Sequence, residues 1–65
     1  MSSYHTTEAR FVAVGDIVLD AKGQRQEVLE FETTSEDLSL LMRSIHTGES
    51  VQIRVSRLDT FRVLV

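Results

Sequence analysis

The residues of this 65-residue chain that could do chemistry are two histidines, a scatter of serines, ten carboxylates and seven basic side chains. A nucleophilic mechanism needs a hydroxyl beside a base that a third group orients. Ser44 and His46 stand two residues apart, with His46 in a stretch that reads as a tight turn. His5 lies in a polar N-terminal stretch, so neither imidazole belongs to a buried cleft. Asp16 and Asp20 are spaced to share one face of a short strand but lack a third oxygen ligand. The histidines have no second ligand at a metal spacing, there is no cysteine, and no glycine-rich phosphate loop is present. These patterns predict a non-enzymatic protein with no cofactor and no metal.

The arginines are the more suggestive set. Residues 1 to 37 hold eight of the ten acids, with Arg10, Lys22 and Arg25 as the only bases. Residues 38 to 65 hold Arg43, Arg54, Arg57 and Arg62 against Glu49 and Asp59. An arginine can grip phosphate or carboxylate through two parallel hydrogen bonds. A cluster of Arg43, Arg54, Arg57 and Arg62 would therefore suit nucleic acid or an acidic protein surface. The net charge of -3 argues against a general nucleic-acid binder, since phosphate affinity comes chiefly from Lys and Arg. The competing expectation is that Glu30 and Glu32 on a neighbouring strand pair with these arginines across the sheet.

Positioning these side chains falls to a set of short strands. Residues 1–9 are polar without an apolar period and read as a flexible tail, leaving 10–65 as one small domain. Ile17-Val18-Leu19 sits between the turn signals Gly15-Asp16 and Asp20-Ala21-Lys22-Gly23. In 24–33, Leu29, Phe31 and Thr33 alternate with Val28, Glu30 and Glu32, the period of a half-buried strand. Leu38 to Ile45 places Leu38, Leu40 and Met42 on one face and Ser39, Leu41 and Arg43 on the other. Val51, Ile53 and Val55 alternate with Gln52 and Arg54. Ser56 to Asp59 suggests one 3-10 turn, and 60–65 a closing strand with Phe61, Val63 and Val65 on one face. A rival reading makes 36–43 a helix capped by Ser35.

Turn lengths predict the register. A four-residue loop at Thr34 to Asp37 sets Thr33 opposite Leu38, Phe31 opposite Leu40 and Leu29 opposite Met42. A two-residue loop at Thr47-Gly48 sets Met42 opposite Ile53, Leu40 opposite Val55 and Ser44 opposite Val51. Both put the apolar partners on one face, and a one-residue slip would turn them all outward. The outward face then carries Val28, Leu41 and Ile45 beside Arg43, an apolar patch with an adjacent arginine. Sheet bending, or the segment Phe11 to Val14, would be the way to cover that patch within the molecule.

The run Val14-Gly15-Asp16-Ile17-Val18, followed by Gly23 and Val28, is similar to the opening of KOW-type and other SH3-like small barrels. The three-strand meander, the short turn and the closing strand resemble the same layout. The resemblance implies a mainly β, SH3-like barrel of about five antiparallel strands with one short 3-10 turn before the last. It implies no binding residues. KOW segments carry several lysines and a second glycine where this chain has Gln24, Arg25, Gln26 and Glu27. The aromatic rows that SH3 domains use are missing, since the aromatics are Tyr4, Phe11, Phe31 and Phe61.

Together these readings predict a protein-binding accessory or regulatory module of the kind a phage or an operon encodes. The expected contact face is Val28, Leu41, Arg43, Ile45 and Arg54, and the expected partner is another protein or a second copy. A homodimer is expected because a domain this small lacks disulfide or metal staples. The alternative is a nucleic-acid-binding barrel using the four arginines. No basic start leads into an apolar run, and the apolar runs are too short to cross a bilayer, so a cytoplasmic protein without a membrane segment is expected.

Overall fold

The computed structural model describes residues 3–64. Six antiparallel strands form one sheet: β1 (Tyr4–Glu8), β2 (Ile17–Leu19), β3 (Arg25–Thr33), β4 (Asp37–Ser44), β5 (Ser50–Ser56) and β6 (Thr60–Leu64). Their order is β1-β6-β2-β3-β4-β5. The strands β2 to β5 form a meander, and β6 returns to pair with β2. The end strands β1 and β5 are not paired with each other, so the sheet is open and not a closed barrel. There is no α-helix among the described residues, and none of their segments is a helix long and apolar enough to cross a membrane.

The predicted core face survives. Leu38 and Leu40 are fully buried and Met42 nearly so, with Val18, Val28 and Val63 beside them. Phe31, Ile53, Val55 and Phe61 pack against this cluster from its margins. Residues 37–44 are a strand, so the helical alternative fails. Every second side chain of β4 is buried, the period of two that a sheet face imposes.

Four details differ from the sequence reading. Residues 4–8 are not tail but β1, paired from Tyr4 opposite Leu64 to Glu8 opposite Thr60. An edge strand needs only backbone partners and residues content in a pleat, and Tyr-His-Thr-Thr supplies those without an apolar period. Met1 and Ser2, the rest of that expected tail, lie outside the described residues, as does Val65.

The 3-10 helix falls at Ala9–Phe11. The segment before β6 is a single turn closed by the Asp59 N–H donating to the Ser56 carbonyl at 3.1 Å. The two meet: the Ala9 and Arg10 N–H groups donate to the Asp59 and Arg57 carbonyls at 2.6 and 3.2 Å.

Pairing of β3 with β4 begins as expected, Thr33 opposite Leu38 and Phe31 opposite Leu40. A bulge between Val28 and Glu30 then sets Val28, in place of Leu29, opposite Met42. The cause is the loop before β2. Gly15, at φ 94°, donates its N–H to the Val28 carbonyl, and the Val28 N–H donates to the Asp16 carbonyl, both at 2.9 Å. Val28 stays in the β4 ladder as the non-hydrogen-bonded partner of Met42, with its backbone bonded to this loop and its side chain turned inward.

Finally, β5 is displaced by two residues along β4. Leu38 faces Val55, Leu40 faces Ile53 and Met42 faces Val51. The hairpin loop is longer than two residues: Ser44 donates its N–H to the Glu49 carbonyl, and Gly48 donates to the Ser44 carbonyl, each at 2.8 Å. Gly48 takes φ 78° to close it. An even displacement preserves the buried face, which is why the core is right although the partners are not.

Candidate functional site

Of the five residues expected to form a contact face, three lie on the outer surface of β4 and β5. Leu41 is half-buried opposite Gln52, Arg43 is opposite Ser50, and Arg54 is opposite Ser39. Val28 does not belong there: the bulge sends it fully into the core, out of reach of any partner. Ile45 is exposed but sits in the β4–β5 loop, its N–H bonded to the Arg25 carbonyl. The apolar patch of Val28, Leu41 and Ile45 therefore does not form. In its place Leu29, displaced outward by the bulge, shares a shallow depression with Leu41 and Gln52.

The four arginines are likewise spread out. Arg43 pairs with Glu27 at 3.0 Å, the carboxylate that the bulged register sets opposite it, and not with Glu30 or Glu32. Arg43 and Arg54 are four β4 positions apart, about 14 Å along the strand. Arg57 stands in the turn before β6, and Arg62 on β6 is separated from β4 by β2 and β3. No single groove collects them.

The candidate catalytic and metal groups have local structural work. The Ser44 hydroxyl is buried and accepts from the Thr47 N–H at 3.2 Å, within the turn that leaves His46 exposed. His5 is exposed on β1. The Asp16 carboxylate accepts from the Ala13 N–H. Asp20 organises the β2–β3 turn by accepting from the Lys22 and Gln24 N–H groups at 2.9 and 2.8 Å and from the Gln26 amide at 3.1 Å. The Gln24 N–H is the main reason its pKa lies below the ordinary carboxylate value, with the Gln26 amide, the Lys22 N–H and the Lys22 charge adding to it.

A different feature stands out at the open edge of the sheet. Because β5 has no neighbour beyond it, its concave side is only partly covered. A cleft of about 560 Å³ opens there, lined by Val18, Met42, Val51, Ile53 and Phe61 and, on its polar side, by Gln26, Asp20, Arg62 and Thr6. Val51 is 48% exposed although it points to the core side. Gln26 is itself buried, and its side-chain carbonyl oxygen has no hydrogen-bond partner among the described residues. A lone buried acceptor is costly unless a donor reaches it.

The backbone of β5 completes the site. Ser44 and Glu49 are the last bonded pair of the hairpin. Bonded and non-bonded pairs alternate along an antiparallel ladder, so Val51, Ile53 and Val55 direct their N–H and C=O groups to β4. Ser50, Gln52 and Arg54 direct theirs to the free edge. The strand carries no proline, lysine or bulge, the usual guards of an exposed edge. The sequence reading counts Val51 and Ile53 as core only. The available signal was that a meander's last strand, left without an outer neighbour, cannot hide an alternating apolar row.

No family model, curated protein or solved structure matches this chain.

Proposed function

We propose that this chain is a non-enzymatic protein-binding module, an SH3-like small barrel left open at one seam, which takes an extended segment of a protein chain against β5. The order β6-β2-β3-β4-β5 supports the SH3-like reading, because a four-strand meander whose fifth strand returns to the first is that layout. The observation that carries the binding reading is the bare hydrogen-bonding edge of β5 beside an apolar cleft. Strand addition uses those two parts together: main-chain bonds supply affinity, and pockets for alternate side chains supply selectivity.

The test uses Gln52→Pro. Its lost N–H faces the free edge, so the β4–β5 ladder keeps its bonds while an added strand loses one. Immobilised wild-type chain should retain its protein partner, Leu41→Glu should retain it equally, and Gln52→Pro should not. Loss with Leu41→Glu and retention with Gln52→Pro would move the contact to the outer face. Retention on nucleic acid that falls steeply with salt and needs Arg43, Arg54, Arg57 and Arg62 would replace the reading with the arginine one.

A further inference from the structure

The seven residues of β5 read almost the same in both directions: Ser50-Val51-Gln52-Ile53-Arg54-Val55-Ser56. Only Gln52 and Arg54 break the palindrome about Ile53. We infer that the segment that docks on β5 is β5 of a second copy, running antiparallel, with Ile53 on the two-fold axis; this rests on the strand-addition reading above. An antiparallel strand that is its own mirror in sequence is complementary to itself.

The register follows from which groups are free. Ser50, Gln52, Arg54 and Ser56 share the edge-facing parity, but Ser56 is already bonded to Asp59 through both its N–H and its carbonyl, so Gln52 and Arg54 must supply the bonded pairs. With Ile53 on the axis, Gln52 of each copy pairs with Arg54 of the other, exchanging both N–H···O bonds on each side of the axis. Val51 then faces Val55, and Ile53 faces its own copy, so the apolar row of one strand meets that of the other without a gap. On the outer face each Arg54 guanidinium lies beside a Gln52 amide, which can accept from it. Centring the axis on Arg54 would set two guanidiniums opposite each other. Centring it on Gln52 would set Val55 against Glu49. The Ile53 register avoids both. It also runs the second strand along the mouth of the cleft, whose wall is Val51 and Ile53.

The chain has no cysteine, so one introduced thiol reports register cleanly. Non-bonded antiparallel partners are about 4.5 Å apart between Cα atoms, within disulfide reach. Ile53→Cys should oxidise to a disulfide-linked dimer that reductant reverses. Val51→Cys should form no intermolecular disulfide under the same conditions, because the two copies of residue 51 lie about 14 Å apart along the strands. Mixing Val51→Cys with Val55→Cys should give the cross-linked heterodimer. Sedimentation of the unmodified chain should show a concentration-dependent dimer that Gln52→Pro abolishes, with circular dichroism confirming that each variant is folded. A chain that sediments as a monomer at every concentration, or Val51→Cys cross-linking as readily as Ile53→Cys, overturns the inference. If the chain is monomeric yet Gln52→Pro still removes capture of a different protein, the dimer is wrong and the strand-addition reading stands. If Gln52→Pro alters neither, both fall.

Discussion

The two edges of this sheet are finished in opposite ways. At one end, β1 is Tyr-His-Thr-Thr-Glu, polar on both faces. The chain leaving it is pinned at once by the 3-10 helix, whose first N–H groups bond to the turn before β6. Arg10 closes back on Glu8 at 2.9 Å and lies over the Phe11 ring. At the other end, β5 carries Val51, Ile53 and Val55 on one face and leaves its outward backbone groups bare. A polar edge offers an incoming strand nothing to bury, whereas β5 offers both bonds and apolar surface. Under the proposed strand addition, one edge serves pairing and the other closure.

The contrast breaks most severely at Ile53→Pro. Its N–H faces β4, so proline there removes a ladder bond inside the sheet, leaves its β4 acceptor unpaired and should cost about 1–3 kcal/mol, read by urea denaturation. Gln52→Pro, one residue away, should shift the midpoint far less while abolishing association. Equal destabilisation by the two prolines would mean that the assigned alternation of β5 is wrong. Next, Val51→Lys should place a charge on the exposed apolar row and eliminate association, while His5→Lys, on β1 and outside the cleft, should leave it unchanged, both read by sedimentation. A smaller effect is expected where the outer face alone is touched. Arg43→Ala removes an exposed ion pair with Glu27 and should cost under about 1 kcal/mol, without changing association.

The smallest effect concerns acid stability. Asp20 has a folded pKa below its ordinary 3.8. Its contribution is therefore present above that ordinary value and is lost as pH falls through the lower folded one. Asp20→Asn should flatten the stability profile below about pH 4. A profile unchanged by the substitution would remove Asp20 from the account of the β2–β3 turn.

What could be read from the residues follows from the period of two. Leu38, Leu40 and Met42 declare their face unambiguously, and any even slip preserves it. The slip itself was invisible. Choosing between a two-residue loop and the longer one depends on which residue Ser44 bonds, and Thr47-Gly48 is compatible with both. The bulge was hidden for a related reason. Val28 and Leu29 are equally apolar, and only the partners supplied by Gly15 and Asp16 decide which of them enters the core. That one non-local choice misplaced Val28 in the expected contact face and pointed to Glu30 and Glu32, where Glu27 is the partner of Arg43. β1 was missed because its stability comes from β6, far along the chain, and leaves no local pattern. The seam is a property of the sheet order, and no strand announces from its own residues that it will be last.

Amide hydrogen exchange along β5 tests the central claim most directly. The Ile53 N–H should be protected throughout, since it bonds to β4. The Gln52 and Arg54 N–H groups should exchange rapidly in dilute solution and slow by about tenfold or more as the chain associates. Equally protected amides at 52, 53 and 54 in the dilute monomer, or rapid exchange at 52 and 54 in the fully associated state, would contradict the account.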